Sequence, residues 1–507
     1  MNLLNLLIAV PAIGFVLTLF LPRSNAKLIR MFTLGVALVT FVLSLGLVTG
    51  FDAANTGLQF ETNTVWIPNP EIHWHLGVDG LSLWLVVLAT LLTPIAMLMS
   101  WNQIQDRVLE FFAFLLLLEC GLVGVFAAYD LFLFYVFWEL VLVPMYFLIG
   151  MWGGKKAVYA TVKFFVYTMA ASVLMLAAMI FLYLKTGTFD YSTVLAAVES
   201  GRAAITHTEE TMLFLAFFLA FAVKVALFPL HTWLPDAYTE SPAGATVMLA
   251  AVMSKMGAYG IVRFCLPMFP TASRENANWI VVLAIIGIIY GALVALVQTD
   301  VKRVIAYSSV SHLGFVVLGI FTFTQMGLDG AVYQMLNHGI STGALFVLAG
   351  LLYERRKSLA IADFGGIADV APWFTTIFLI TTLASIGLPT LNNFIGEFLV
   401  LQGSAQANFT WTVFASLGVI LSACYMLWMM QRVFYGKAGE EIRRVFTDFS
   451  PREWACILPL VVMMVWMGMY TQTFLPAVSA SNSKMLEKMS VPLRVSNPVG
   501  GGNLHAR

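Results

Sequence analysis

The sequence predicts an all-α integral membrane protein of about fourteen transmembrane helices. Of its 507 residues, 60% are hydrophobic and only 11% are charged, whereas a soluble protein carries roughly 25% charged residues. The apolar residues form long runs, and a run of about 20 crosses the hydrocarbon core as a helix. The runs do not alternate at every second residue, as the strands of a membrane barrel would. Helices are therefore the only spanning structure that fits.

The individual spans follow from hydropathy along the chain. They are expected near residues 2–21, 28–49, 78–100, 109–127, 130–152, 162–184, 212–230, 242–264, 278–297, 303–321, 328–353, 373–402, 409–434 and 455–475. The first run lacks the basic start of a signal peptide and is too long for one, so we expect it to be a retained span. Residues 1–475 would form one membrane domain with polar loops at 51–77 and 185–211. Residues 476–507 would form a polar, loosely ordered tail.

Basic residues are distributed unequally between the loops, which predicts an orientation. When the loops are numbered from the N-terminus, the odd-numbered loops hold about sixteen lysines and arginines, and such loops stay in the cytoplasm. The even-numbered loops and their edges hold Lys185, Arg202, Arg263 and Arg274. We therefore expect the odd-numbered loops on the cytoplasmic (or matrix or stromal) side and both termini opposite. These two faces are called the odd-loop side and the even-loop side below.

Six ionisable side chains stand out within the predicted spans. A charge at the bilayer centre costs roughly 2.5–3.5 kcal/mol on insertion scales, so such residues usually face the bundle interior and mark ion pathways. Histidine adds a group that exchanges protons near neutral pH. The candidate relay residues are Glu139, Lys224, Lys255, His312, His338 and Glu397.

These residues also have interpretations without transport. Glu139 could be a protonated carboxyl that only packs, Lys224 could extend towards the interface, and Lys255 could form a structural ion pair. Either histidine could be a hydrogen-bonded core residue or, less readily, a haem ligand. Glu119 is an additional buried acid, and Lys163 lies close enough to a membrane edge for its amine to reach water.

Two spans should be broken near the candidate residues. Pro229 follows Lys224 in span seven, and the sequence Gly387-Leu388-Pro389 precedes Glu397 in span twelve. Proline removes a backbone hydrogen bond and often breaks a helix. Freed carbonyl groups are tolerated at membrane depth where they line a cavity. Discontinuous helices 7 and 12 therefore fit an ion path.

Equal spacing within the two halves of the chain suggests an internal repeat. His312 and Glu397 are 85 residues apart, and Glu139 and Lys224 have the same separation. Transporters often pair broken helices in inverted repeats. We expect two inverted five-helix repeats, at about 109–264 and 278–434. The prolines do not correspond, because one follows its charged residue and the other precedes it.

The sequence gives no sign of an iron–sulfur or zinc site or of nucleic-acid binding. The four cysteines have no spacing typical of an iron–sulfur or zinc site, and the net charge of zero gives no argument for nucleic-acid binding. The cysteines are Cys120, Cys265, Cys424 and Cys456.

Four motifs carry a resemblance to a known family. They are VDGLS at 78–82, FYVFWELVLVPMY at 134–146, HTWLPDA at 231–237 and DVKRVIAYSSVSH at 300–312. With them the sequence resembles the antiporter-like subunits of respiratory complex I (NADH:quinone oxidoreductase) over nearly its whole length except the tail. Subunits L and N and the two large Mrp antiporter subunits resemble each other in having lysine at the position of Glu397. The Gly-Glu-Phe setting of Glu397 therefore favours a branch of the family that has glutamate there. A long lateral helix like that of subunit L is not expected.

The resemblance implies a proton-translocating subunit driven by redox chemistry elsewhere in the complex. Glu139 would set the charge state of Lys224, the central proton carrier. Lys255, together with the two histidines, would carry protons sideways, and Glu397 would be the terminal site linked to exit. The location would be a bacterial inner membrane.

The same resemblance implies what the chain lacks and what it binds. No cofactor and no metal would be held by this chain, and FMN, iron–sulfur clusters and quinone would lie in partner subunits. The partners would be other membrane-arm subunits, especially subunits L and N, and the lipid bilayer, with no nucleic acid. Three alternatives stay open: an Mrp-type cation/proton antiporter subunit, a membrane subunit of a related hydrogenase or formate- or ferredoxin-linked complex, and a structural anchor. Glu397 speaks against the first, and the buried ionisable residues speak against the last.

Overall fold

The computed structural model describes residues 2–490, which form a helical bundle with one small β-hairpin. In chain order the elements are α1 (Leu3–Leu19), α2 (Ala26–Gly50), β1 (Gln59–Pro68), β2 (Glu71–Val78), α3 (Leu83–Gln103), α4 (Val108–Ala127), α5 (Leu131–Leu140), α6 (Leu142–Trp152), α7 (Ala157–Thr186), α8 (Tyr191–Glu199), α9 (His207–Lys224), α10 (Trp233–Glu240), α11 (Ala243–Met248), α12 (Lys255–Gly260), α13 (Leu266–Met268), α14 (Pro270–Leu296), α15 (Val301–Ile320), α16 (Gln325–Arg356), α17 (Pro372–Ile386), α18 (Asn392–Ala407), α19 (Phe409–Phe434), α20 (Glu440–Val445), α21 (Pro451–Met469) and α22 (Leu475–Ser490).

Within residues 2–490, 11 helical segments are long and apolar enough to cross a membrane. They are α2, α3, α4, α5 with α6, α7, α11 through α13, α14, α15, α16, α19 and α21. The most apolar stretches of α16 and of the segment Ala243–Met268 are completely buried, whereas fewer than half of the residues in those of α2, α7 and α19 are buried. Exposed apolar side chains on the outer helices suit contact with lipid. The chain is therefore an all-α multi-pass membrane protein, as predicted.

Both predicted helix breaks are present. Helix α9 ends at Lys224, and α10 begins only at Trp233. Helix α17 ends at Ile386, and α18 begins at Asn392. Gly387 follows α17 with φ +84°, a conformation that favours glycine. Each break lies next to one of the candidate charges.

A third irregularity was not predicted. The segment Ala243–Met268 contains two π-helical turns, Leu249–Met253 and Ile261–Cys265, which flank α12. A π-turn inserts one extra residue into a helical turn and often accompanies a functional site. Lys255 is the first residue of α12, and only Ser254 separates it from the first π-turn.

The even-loop side is covered by structure that the sequence had not indicated. Residues 51–77, expected as a loop, contain the antiparallel strands β1 and β2, and residues 185–211 contain α8. Helix α22 replaces the first part of the loosely ordered tail, whereas residues 491–507 lie outside the described residues. Asp329 accepts hydrogen bonds from Ser479 Oγ at 2.7 Å and Asn482 Nδ2 at 2.8 Å. Hydropathy could not find α22, because polar tertiary contacts hold it.

Candidate functional site

Lys224 lies deep in the bundle at the end of α9. Its side chain is 1% exposed, and Nζ has no hydrogen-bond partner among the described residues. Nζ lies 5.3 Å from the ring centroid of Trp138 and 5.5 Å from that of Phe164. Such rings attract a cation through their quadrupole. The amine therefore has an aromatic environment rather than a hydrogen-bonded one.

Glu139 is the acidic side chain that acts electrostatically on Lys224. It lies near the end of α5, next to Trp138, and its Oε1 is buried without a hydrogen-bond partner in the described part of the chain. The two groups therefore interact through space and form no direct salt bridge. A change in the charge of one changes the free energy of protonating the other.

Lys255 has the opposite environment, with three polar contacts. Its Nζ donates to the Ala250 carbonyl oxygen at 2.7 Å and to Ser254 Oγ at 3.1 Å, and lies 2.7 Å from His338 Nδ1. An ammonium has three donors, so these contacts match its capacity. Ala250 lies in the π-turn Leu249–Met253, so the irregular backbone supplies one of the three partners.

The two histidines face each other between Lys255 and Glu397. His338 on α16 and His312 on α15 are 0% and 2% exposed, and their ring centroids are 5.6 Å apart. The Nε2 atom of each ring has no hydrogen-bond partner within residues 2–490. The rings are therefore neighbours that are not hydrogen-bonded to each other.

Glu397 closes the row on α18. Its Oε1 lies 2.7 Å from His312 Nδ1 and accepts a hydrogen bond from Gln334 Nε2 at 3.1 Å. The side chain is 3% exposed. The structure thus places Lys255, His338, His312 and Glu397 in sequence across α12, α16, α15 and α18, while Glu139 and Lys224 form a separate pair.

Neutral polar residues complete the site, and sequence reasoning missed them. Gln334, Asn337 and Ser341 are all 0% exposed and lie on α16 with His338. Asn393 Nδ2 donates to Ser341 Oγ at 3.0 Å, and Asn392 Nδ2 donates to the Asn337 carbonyl oxygen at 3.0 Å. Polar residues spaced three or four apart inside a long apolar helix were the available signal.

Lys163 and Glu119, the two further ionisable residues noted in the sequence, have different surroundings. Lys163 Nζ donates to Asp236 Oδ2 at 2.7 Å, and the lysine side chain is 18% exposed. Asp236 belongs to the HTWLPDA motif, so this pair ties α7 to α10. Glu119 is 0% exposed on α4, and neither carboxyl oxygen has a hydrogen-bond partner among the described residues.

Cavities approach the bundle from both faces. On the odd-loop side a cavity of about 180 Å³ lies between Gln103, Glu240 and Lys302. On the even-loop side a cavity of about 330 Å³ lies beside the hairpin and α22, and Asp79 and Arg263 line it. Within residues 2–490 no group of three or more His, Cys, Asp or Glu side chains could hold a metal ion.

Comparison with known proteins identifies the family. The profile of the family described as NADH:quinone oxidoreductase/Mrp antiporter, transmembrane, matches residues 128–422, more than half of the chain. The chain belongs to this family. The matched range contains all six candidate residues.

Curated relatives match along nearly the whole chain. NADH-quinone oxidoreductase subunit M of Rhodobacter capsulatus is 43% identical over 487 residues, which cover 94% of this chain and 94% of the relative. NADH-ubiquinone oxidoreductase chain 4 of Chondrus crispus is 40% identical over 481 residues, which cover 95% of this chain and 96% of the relative. The resemblance seen in the sequence motifs is thereby confirmed.

Solved structures agree in fold. A chain of respiratory complex I from Thermus thermophilus with bound NADH has a TM-score of 0.87 and 32% identity, and the match covers 96% of this chain and 100% of that one. A chain of an Mrp complex from Dietzia has a TM-score of 0.85 with 20% identity, over 97% and 99% of the two chains. At that identity the second likeness shows the fold alone.

Proposed function

We propose that the chain is the proton-translocating membrane-arm subunit of an NADH:quinone oxidoreductase that corresponds to subunit M, or chain 4. The observation that carries the proposal is the buried row from Lys255 through the two histidines to Glu397, with Glu139 and Lys224 beside it. A charged group inside a membrane bundle is energetically costly, so such groups are rare and usually mark functional sites. The relatives that cover at least 94% of this chain bear names of this subunit, so the Mrp alternative has less support.

The architecture of the proposal has fourteen spans, of which spans four to eight and nine to thirteen form two inverted five-helix repeats. Helix α1 has 17 residues and is apolar, and α9 with α10 and α17 with α18 are spans interrupted at their breaks. Added to the 11 continuous segments, these give fourteen. The two broken spans are the fourth of their five-helix units, 109–264 and 278–434, which supports the repeat.

The orientation of the proposal puts the odd-loop side in the cytoplasm of a bacterial cell and both termini outside it. Asn2 Nδ2 donates to the carbonyl oxygen of Glu61 in the hairpin at 2.9 Å. On the same face, Lys484 Nζ of α22 donates to the carbonyl oxygen of Thr56 at 3.0 Å. Contact of α22 and of the first described residue with the same loop supports an even number of spans.

The roles proposed for the residues follow their environments. Glu139 sets the charge state of Lys224 through space, and because the two groups are farther apart than an ion pair, their coupling is below the roughly 4 kcal/mol of two unit charges about 4 Å apart at an effective dielectric constant near 20. About a third of that energy already changes a protonation equilibrium about tenfold, which is enough to bias the loading of a lysine. Lys255 and the histidines carry the proton sideways, and Glu397 is the terminal site.

The driving reaction takes place elsewhere. FMN, iron–sulfur clusters and quinone would be held by partner subunits of the complex, and subunits L and N would be the neighbours in the membrane. This division follows from the family, because proton movement inside the row needs only groups that bind and release protons.

The test of the function uses the assembled complex in sealed vesicles. Lys224→Ala and Glu139→Ala are each expected to abolish NADH-driven proton uptake, while Lys155→Ala, which changes an exposed lysine on the odd-loop side, should pump normally. Normal proton stoichiometry in Lys224→Ala or in Glu139→Ala would refute the proposal. Sodium exchange in vesicles without any redox substrate would instead favour the Mrp-type function.

A further inference from the structure

A buried ion pair forms the floor of the cavity on the even-loop side. Arg263 Nη1 donates to Asp79 Oδ2 at 2.7 Å, and Nη2 donates to Asp79 Oδ1 at 2.6 Å. Both residues are 9% exposed and line the 330 Å³ cavity. Sequence reasoning had treated Arg263 as a loop-edge residue and Asp79 as part of the VDGLS motif. The structure instead joins them into one bidentate pair.

Asp79 has no capacity left to accept a proton in this arrangement. Besides Arg263, its Oδ1 accepts from Leu81 N at 3.1 Å and Ser82 N at 3.2 Å, and its Oδ2 accepts from Tyr129 OH at 3.0 Å. A carboxylate offers about four acceptor sites, and these contacts fill them. Hydrogen bonds to the charged form favour that form.

Arg263 is equally unsuited to conduct a proton. A guanidinium stays charged in proteins and has no acceptor. Its Nε donates to Tyr259 OH at 3.2 Å. The Cζ atom of the guanidinium lies 4.8 Å from the Tyr129 ring centroid and 5.3 Å from that of Tyr259. Tyr259 OH in turn donates to the Phe126 carbonyl oxygen at 3.1 Å. Three of the five guanidinium N–H groups and the hydroxyls of Tyr129 and Tyr259 are therefore already committed to acceptors.

The cluster lies in line with the proposed proton relay. Lys255, Tyr259 and Arg263 follow one another at intervals of four residues, which places them along one side of the same helical segment. Eight helical residues span about 12 Å. Tyr259 and Arg263 thus stand between Lys255 and the cavity on the even-loop side.

We propose that Asp79 and Arg263, with Tyr129 and Tyr259, form an electrostatic seal that separates Lys255 from the even-loop cavity. The seal prevents protons on Lys255 from leaving directly through the first half of the molecule, so that they pass on through the histidines to Glu397. This inference rests on the proposed function, because only a proton-carrying Lys255 needs such a barrier.

The test measures passive proton leakage through the assembled complex in vesicles, without NADH, after a pH gradient has been imposed. The double variant Asp79→Asn/Arg263→Gln removes both charges and leaves neither unpaired. We expect its leak to rise at least about tenfold over wild type, which corresponds to about 1.4 kcal/mol off the barrier. The control Glu199→Gln/Lys488→Gln breaks another ion pair on the wall of the same cavity and should stay tight.

A third variant distinguishes a seal from a packing role. Adding Lys255→Met to the Asp79→Asn/Arg263→Gln pair should return the leak to the wild-type level, because the route would then lack its inner proton carrier. A leak that persists without Lys255, or a fully assembled double variant that stays tight, would overturn the seal.

One further variant covers a double variant that does not assemble. Arg263→Lys keeps the charge but loses the bidentate fork and the Tyr259 contact, so we expect a leak above that of the control pair. A leak at the control level would overturn the inference. Failure of the proposed function would show differently, as normal pumping by Lys224→Ala.

Discussion

Two acid–base pairs of the candidate relay, Glu139 with Lys224 and His312 with Glu397, have the same sequence separation but different physical coupling. Lys224 has no hydrogen-bond partner among the described residues and interacts with Glu139 through space. His312 contacts Glu397 directly, at 2.7 Å. A through-space interaction varies slowly with distance, whereas a hydrogen bond weakens steeply when its geometry changes. The first pair is therefore suited to switching a charge, and the second to passing a proton.

Lys255 joins these two regions and shares features of both. It is a lysine on the first half, but it is hydrogen-bonded like the second half and reaches His338 at 2.7 Å. Beyond Lys255, no hydrogen bond joins the rings of His338 and His312, whose centroids are 5.6 Å apart. Under the proposed function, Lys224 would be the switching residue and direct transfer would begin at Lys255.

Removing the carboxylate of the second pair should have the largest effect. Glu397→Ala leaves His312 Nδ1 and Gln334 Nε2 buried without their partner, and each such loss costs about 1–3 kcal/mol. We expect proton pumping to be abolished, as measured by NADH-driven quenching of a pH-sensitive dye. Full pumping by this variant would remove Glu397 from the relay. Assembly is checked by the amount of complex recovered from the membrane.

Shortening each acid by one methylene separates the two kinds of coupling. Glu397→Asp should lose most of its pumping, because the carboxylate withdraws from the 2.7 Å contact. Glu139→Asp should keep a larger share, because a Coulomb interaction changes only gradually with distance. The comparison uses pumping rates normalised to the amount of assembled complex. Equal losses, or a larger loss for Glu139→Asp, would contradict the distinction.

The aromatic environment of Lys224 should have a moderate effect. Trp138→Leu removes the ring that lies 5.3 Å from Nζ, and a desolvated cation–π contact contributes about 2 kcal/mol. We expect slower pumping because the protonated lysine is less stable. Trp279→Leu, an exposed tryptophan on α14, is the matched control. Equal rates in the two variants would show that the ring is only packing.

The neutral partner of Glu397 should have a smaller effect. Gln334→Leu removes the hydrogen bond to Glu397 at 3.1 Å and the longer one that Gln334 Oε1 accepts from Asn337 Nδ2 at 3.4 Å, and it leaves the His312 contact in place. Such a bond contributes about 1 kcal/mol, so pumping should fall but remain measurable. Pumping as low as that of Glu397→Ala would mean that Gln334 is itself part of the relay.

The smallest expected effect is a pH dependence of the hairpin. Burial lowers the pKa of His75, but Asp190 and Glu61 outweigh it and raise that pKa above its ordinary value. The contribution of the protonated ring to hairpin docking is therefore full at low pH and is lost as the pH rises through the raised pKa. Because amide exchange is itself base-catalysed, the rates are corrected for intrinsic exchange at each pH, and the corrected protection of the β1–β2 amides should fall over that range in wild type but not in His75→Gln. Identical profiles in both would contradict this role.

The sequence was sufficient for the residues that combine charge with an apolar surrounding. Glu139, Lys224, Lys255 and Glu397 stand out because a charge inside a span is rare, and both helix breaks follow from nearby proline or glycine. Of the two equal separations, the one between His312 and Glu397 corresponds to a direct contact at 2.7 Å. These features are local, so a linear pattern contains them.

What the sequence could not supply depends on contacts between distant elements. The π-turn before Lys255 has no marker in composition, and Gln334 carries no charge to distinguish it from any other polar residue. Asp79 and Arg263 are 184 residues apart, and nothing in the local pattern joins them. Helix α22 depends on hydrogen bonds to Asp329, so its polar sequence gave the wrong expectation.

The most direct test of a continuous relay is the NADH-driven proton gradient of the variant Lys255→Met in sealed vesicles. Methionine has nearly the length of lysine and suits a buried site, but it cannot bind a proton. We predict that the variant assembles and forms no gradient through this subunit, so that the number of protons moved per NADH falls below the wild-type value or turnover stops. A wild-type number of protons per NADH would contradict a path that runs from Lys224 through Lys255 to Glu397.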